Sequence, residues 1–126
     1  PIKSPDELFN PNVVKVVRSS DGSIVYFSRS PVPHVRDAES KDWMTKASFW
    51  GHAGVYAYRR EVLKAFPYLP DSPLEQAEKL EQLRFLEAGK RFLATEIDDR
   101  PLAVDVPEDL HIVIQAMQDR KSTELI

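Results

Sequence analysis

The chain has 126 residues, 17 basic against 20 acidic for a net charge of −3, and 42% hydrophobic residues. That suits one packed domain, since domains commonly run ~100–200 residues, and the slight acidity argues against the basic face of a nucleic-acid binder. With no cysteine there is no disulfide, thiolate zinc site or cysteine nucleophile; no apolar run approaches the ~18 residues of a membrane span, and Pro1-Ile2-Lys3-Ser4-Pro5 lacks the apolar core of a signal peptide.

Val13-Val14-Lys15-Val16-Val17 is β-branched and predicts a strand. Ser19-Ser20-Asp21-Gly22 predicts a hairpin turn, because Asp and Gly tolerate positive φ, and Ser23–Ser28 is the return strand. Pro31 and Pro33 exclude regular structure just after it. A short helix is expected around Glu39–Lys46, then a buried strand over Phe49–Tyr58, whose glycines permit close backbone approach. Another short helix follows over Arg60–Phe66. Pro67, Pro70 and Pro73 break the chain before the next element. Ser72-Pro73-Leu74-Glu75 starts a helix with a capping serine, a first-turn proline and a reciprocal glutamate. It is expected to run to Ala88 and stop at Gly89, with Leu74, Ala77, Leu80 and Leu83 as its apolar stripe. Arg91–Ile97 predicts a strand, Asp98–Pro101 a turn and Leu102–Val104 a short strand. Asp105-Val106-Pro107-Glu108 opens a last helix with Leu110, Val113, Ile114 and Met117 on one face. The fold class is α/β, a mixed β-sheet with packed helices.

No Gly-Lys-Ser/Thr phosphate loop, glycine-rich dinucleotide fingerprint or His-Glu-x-x-His occurs, and no Gly-x-Ser-x-Gly elbow marks a serine nucleophile. Several polar residues still stand out. Asp105 ends a short apolar strand, where open α/β sheets bind ligands; helix capping with Glu108 explains it equally well. His52 lies among apolar and small residues, as a half-buried core histidine also would. Arg29 sits on a loop at a strand end, a common place for a surface arginine. Glu78, Glu81, Gln82 and Phe85 form a stripe at spacings of three and four, whose polar members would by default face solvent.

Ordered blocks across the chain are more specific than any of these residues. They are Phe9-Asn10-Pro11-Asn12 with the following Val-Val-Lys-Val-Val, Tyr26-Phe27-Ser28-Arg29-Ser30-Pro31-Val32-Pro33, His52-Ala53-Gly54-Val55-Tyr56-Ala57-Tyr58-Arg59, Ser72-Pro73-Leu74-Glu75, Leu80-Glu81-Gln82-Leu83-Arg84 and Val104-Asp105-Val106-Pro107-Glu108-Asp109-Leu110. The chain resembles the 3-deoxy-manno-octulosonate (KDO) cytidylyltransferases, or CMP-KDO synthetases, from about Phe9 to Met117, and specifically their C-terminal half.

The resemblance implies the C-terminal part of a Rossmann-like nucleotide-sugar transferase fold, with 1–126 as a single domain or half-domain that binds sugar and dimerises. It implies a magnesium-dependent nucleotidyltransferase that couples CMP from CTP to the acidic sugar KDO, releasing pyrophosphate, for lipopolysaccharide synthesis in the cytoplasm of a Gram-negative bacterium. No membrane or nucleic-acid partner is implied, and the enzyme would be a homodimer. Arg29, His52, Tyr56, Glu81 and Gln82 would bind the sugar, Asp105 would ligate Mg²⁺, and no residue would form a covalent intermediate. Val106 stands where the family has threonine, Gly51 and Ala53 alter the strand around His52, and the family's Pro-Ala-Arg loop and Gly-Asp-Glu-Pro block are absent from these 126 residues. The chain alone is therefore expected to lack the CTP-binding half and activity. A non-catalytic sugar-binding or dimerisation module, and a related enzyme for an amino-KDO sugar, are the alternatives.

Overall fold

The Val-rich run pairs as its composition predicts. In the computed structural model, which describes residues 1–98, 104, 107 and 109–123, β1 (Lys15–Arg18) and β2 (Ile24–Ser28) form an antiparallel hairpin with Lys15 opposite Ser28 and Val16 opposite Phe27. Its turn contains Gly22 at φ +80°. Asp21 stabilises that turn: Ser23 donates from its backbone N–H and its hydroxyl, and Ser19 donates from its hydroxyl. These bonds, Ser19's first, hold the Asp21 carboxyl well below the usual carboxylate range. A third strand, β3 (Trp50–Gly51), lies on the other side of β1, giving the order β2-β1-β3. Every described strand pairing is antiparallel.

Register assigns the two faces of this sheet. Val16, Phe27 and Trp50 are cross-strand neighbours on one face, and Lys15, Ser28 and Gly51 on the other. The first face carries a buried cluster of Val16, Ile24, Phe27, Leu80 and Leu83. A separate cluster of Ile2, Leu8, Val13, Trp43 and Phe49 forms where the N-terminal segment meets the chain before β3. Part of that second cluster comes from α1 (Pro5–Phe9), an element not predicted above. Its signal was present: Ser4 Oγ accepts from Glu7 N–H, and Pro5 occupies the first turn. After β2, a 3-10 turn at Ser40–Asp42 leads into α2 (Trp43–Lys46). After β3 come α3 (Arg60–Ala65) and a 3-10 turn at Phe66–Tyr68.

Three predicted elements are corrected. The strand expected over Phe49–Tyr58 is paired only at Trp50–Gly51. Pairing with β1 ends where His52 N–H donates to the Val14 carbonyl at 2.8 Å, and Gly54 at φ +72° then redirects the chain. The single helix expected from Pro73 to Ala88 is two, α4 (Pro73–Glu78) and α5 (Gln82–Glu87). Lys79 divides them in the left-handed conformation, φ 54° and ψ 47°. The serine cap and the glycine stop hold as predicted, but the reciprocal glutamate does not: the Glu75 carboxylate accepts from Arg84. Ser72 Oγ accepts from Glu75 N–H at 2.9 Å. At the far end Lys90 N–H reaches the Phe85 carbonyl and Gly89 N–H the Leu86 carbonyl, both at 2.9 Å, the bonding pattern of a glycine-terminated helix. The strand expected over Arg91–Ile97 is reduced to a bridge between Leu93 and Ser23, flanked by Ile24 N–H to the Phe92 carbonyl and Ala94 N–H to the Gly22 carbonyl.

The last helix, α6 (Asp109–Thr123), is present, with Leu110, Ile114 and Met117 of its apolar stripe exposed. The predicted strand at Leu102–Val104 and the helix opening at Asp105–Glu108 lie outside the described residues, apart from Val104 and Pro107. Among the described residues, no helix is long and apolar enough to cross a membrane.

Candidate functional site

Arg29 leaves the end of β2 and is held by the last residue of α4. Its backbone N–H donates to Glu78 Oε2 at 2.9 Å, its Nε to the Glu78 carbonyl at 2.6 Å, and its Nη1 to the Pro11 carbonyl at 3.0 Å. Ser28 Oγ donates to the other Glu78 carboxylate oxygen at 2.7 Å. Glu78 is thus an internal acceptor, not part of the solvated face its spacing suggested. Beside it, Lys15 is fully buried at 0% exposure. Its ammonium donates to the Asn10 and Val13 carbonyls at 2.9 and 2.6 Å. Burial pushes the Lys15 pKa down; the Glu78 charge works against that shift and the Arg29 charge adds to it. Two cations and one carboxylate therefore share this corner. Glu78 stands out in the sequence only as a member of a helical stripe, and Lys15 not at all, although a lysine inside a run of valines is itself a signal.

His52 follows β3 and joins an aromatic cluster. Its ring meets Phe27 edge-on at 5.4 Å and Tyr56 at 5.2 Å. Tyr56 stacks on Tyr58 at 5.7 Å, and Tyr58 on Phe85 at 5.1 Å. Burial pushes the His52 pKa down, so its imidazole is held neutral. Tyr56 and Tyr58 are pushed up, first by burial and then by neighbouring charge, to which Glu81 contributes in both cases. Glu81 precedes α5 and is exposed; Gln82 opens α5 and is 6% exposed. Two buried side-chain atoms, His52 Nε2 and Gln82 Nε2, have no hydrogen-bond partner among the described residues.

Of the residues expected at the sugar site, His52 and Tyr56 are in ring contact, and Glu81 lies within electrostatic reach of Tyr56. Gln82 is adjacent to Glu81 in sequence. Arg29 follows Ser28, next to the Phe27 whose ring supports His52, but its own bonds run to Glu78 and Pro11. Asp105 lies outside the described residues. A concavity of about 350 Å³ opens at the α4–α5 corner, lined by Asp71, Ser72, Glu75, Lys79, Glu81 and Arg84. It includes Glu81 but neither buried orphan atom, and Arg84 and Glu75 are already paired across it at 2.5 Å. The orphan atoms mark the better candidate. A neutral imidazole and a primary amide can each bond a hydroxyl group, while Arg29 is bonded to Glu78 and Pro11 and not to either of them.

The family model described as cytidylyltransferase matches residues 1–92. The 3-deoxy-manno-octulosonate cytidylyltransferase of Dichelobacter nodosus is 53% identical over 102 residues, covering 80% of this chain and 40% of that protein. The enzyme of the same name from Parabacteroides distasonis is 40% identical over 124 residues, covering 95% of this chain and 49% of its own length. A solved CMP:2-keto-3-deoxy-manno-octonic acid synthetase complexed with CTP superposes with a TM-score of 0.83 at 40% identity, over 94% of this chain and 46% of that one. The chain thus spans about half the length of the curated relatives it matches. The expectation that it is their C-terminal half in particular is corrected: the matches establish extent, and they give no C-terminal placement. The packed helices and small sheet agree with the solved relative, and the chain belongs to the cytidylyltransferase family.

Proposed function

We propose that this chain is the acidic-sugar-binding part of an enzyme that couples CMP from CTP to KDO, giving CMP-KDO and pyrophosphate for lipopolysaccharide synthesis. The observation that carries the proposal is the pair of buried, unpartnered atoms, His52 Nε2 and Gln82 Nε2. Buried polar groups in folded proteins are nearly always satisfied, and leaving one unpaired costs about 1–3 kcal/mol. Two such atoms on segments that also carry Tyr56 and Glu81 are explained by a ligand that bonds to them. The named activity of the relatives and the CTP-bound solved structure support KDO and CTP as the substrates.

In this reading the sugar's anomeric hydroxyl attacks the α-phosphorus of CTP, and the bond to pyrophosphate breaks as the hydroxyl loses its proton. The described residues work on the sugar side. Arg29 offers its Nη2 to the sugar carboxylate, a charge-assisted hydrogen bond. His52, kept neutral by burial, retains one donor and one acceptor nitrogen for hydroxyl groups. Gln82 donates from its unpartnered amide, and Glu81 accepts. Their contribution is alignment of the attacking hydroxyl.

Magnesium, with Asp105 as a ligand, is proposed on the resemblance alone; among the described residues no three His, Asp or Glu side chains gather as a metal site. When bound, the ion would neutralise charge developing on the phosphates. The homodimer and the cytoplasm of a Gram-negative bacterium likewise belong to the proposal by resemblance.

Calorimetric titration of the chain with KDO tests the reading. One site per chain is expected, with affinity lowered about tenfold or more by Arg29→Ala, since one charged hydrogen bond accounts for about 1.5–3 kcal/mol. Absence of heat from the unsubstituted chain overturns it.

A further inference from the structure

Glu78 is used three times within one corner of the fold. Its two carboxylate oxygens accept from Ser28 Oγ and Arg29 N–H, and its carbonyl accepts from Arg29 Nε. The carbonyl is available because Glu78 ends α4, and the last carbonyls of a helix lack intrahelical donors. It faces β2 because Lys79 turns left-handed immediately after it. We propose that Glu78 is a positioning residue for the anion site: its side chain and carbonyl fix Arg29 so that the remaining guanidinium nitrogen, Nη2, is presented to the sugar carboxylate. This rests on the reading of Arg29 as the carboxylate-binding group.

Three features carry the proposal beyond ordinary tethering of a helix to a strand. First, the hold is directional. Nε is tied to the Glu78 carbonyl and Nη1 to the Pro11 carbonyl, while Nη2 makes neither bond. A guanidinium fixed at those points has Nη2 left to offer, and preorganisation of that kind lowers the ordering cost of binding.

Second, the local charge is unbalanced. Lys15 and Arg29 are both cationic, and Glu78 is the carboxylate whose charge acts on Lys15 against theirs. Two cations against one anion leave room for a ligand anion. Without Glu78 the cations face each other unscreened, and Arg29 is the one free to swing away, because Lys15 is buried and bonded to two carbonyls.

Third, the corner is closed on itself. Ser28, which donates to Glu78, also accepts from Ser30 N–H at 3.0 Å, so Glu78 sets the backbone on both sides of Arg29. Asn10–Val13 is gripped from the other side by Lys15 and Arg29 together.

The test uses Glu78→Gln, which keeps the shape, retains an acceptor for only one of the two side-chain bonds, and removes the charge. KDO binding is measured by calorimetry at a temperature where both proteins are folded, and the Arg29 Nε–H resonance is followed by nitrogen-15 NMR without ligand. The expected result is a Kd raised at least tenfold, together with movement of that resonance toward the position and fast solvent exchange of an unbonded arginine. A purely structural role would lower the melting temperature and leave Kd unchanged; a Kd within twofold of the unsubstituted chain overturns the proposal, as does a raised Kd with the resonance unmoved. If Glu78→Gln does not fold, Ser28→Ala removes one bond to the carboxylate without removing charge. A threefold or larger rise in Kd is then expected, and an unchanged value overturns the proposal. Failure of the underlying reading is distinguishable: the unsubstituted chain then gives no heat with KDO, or Arg29→Ala binds as well as the unsubstituted chain, whatever Glu78 does.

Discussion

His52 is where a single residue's environment is most open to measurement. In the unfolded chain its imidazole takes up a proton near the ordinary value of 6.5, and in the folded chain burial moves that uptake to lower pH. Between those two values the unfolded state binds more protons than the native one. The stability tied to His52 is therefore fully present above about pH 6.5 and declines as the pH falls through that window. The melting temperature is expected to drop as the pH falls below about 6.5, and the drop is expected to be shallower in His52→Gln, which cannot take a proton. An identical slope in the two proteins would mean that the imidazole titrates normally. At this scale the sequence was partly legible. His52, Tyr56, Glu81 and Gln82 were reached through ordered blocks that resemble a known family. Lys15 lies within one of those blocks but carried no assigned role, and Glu78 stood only in a stripe, because their significance lies in hydrogen bonds to carbonyls and to a neighbouring strand end that spacing alone does not reveal.

At the scale of elements, caps were legible and breaks were not. Ser72, Pro73 and Gly89 act where their chemistry predicts, whereas the Glu75 carboxylate is taken by Arg84 instead of reaching back to the cap. The division of α4 from α5 was hidden because lysine is a good helix former, and only tertiary contacts make its left-handed conformation worthwhile. That division buries Leu80 and Leu83 beside Phe27 and directs Glu78 toward Ser28 and Arg29. A lysine at φ 54° carries a steric cost that glycine avoids. Lys79→Gly is expected to stabilise the fold by about 0.5–1 kcal/mol in urea unfolding, with KDO binding unchanged because the chain path is kept. A loss of stability would show instead that the Lys79 side chain makes a favourable contact outweighing the strain. The strands expected at Phe49–Tyr58 and Arg91–Ile97 failed for a related reason. Their composition suits strands, but the first leaves β1 after His52 and is redirected at Gly54, and the second meets only the hairpin end at Gly22–Ile24, where a single bridge forms at Ser23.

For the molecule as a whole, the two buried clusters divide stability from function. Phe27 and Phe49 are each 3% exposed, so replacing either with leucine removes comparable packing, at roughly 1–3 kcal/mol for a core change of this kind. Their neighbours differ. Phe49 stacks on Trp43 at 6.4 Å and lies in the cluster built on Ile2, Leu8 and Val13, none of which is a site residue. Phe27 meets His52 edge-on at 5.4 Å and Phe92 at 5.9 Å, and Phe92 in turn meets Tyr56 at 6.1 Å. Phe27→Leu therefore loosens the surface against which the unpartnered imidazole is set, while Phe49→Leu leaves it intact. Both variants are expected to unfold at lower urea concentration by similar amounts. Only Phe27→Leu is expected to weaken KDO binding, by about threefold to tenfold, when titrated at a temperature where both remain folded. Aromatic edge contacts of this kind contribute about 0.5–1.5 kcal/mol, which corresponds to that range of affinity. Equal weakening by the two variants would show that binding follows global stability and that the clusters act as one core; weakening by Phe49→Leu alone would move the site to the N-terminal side of the sheet.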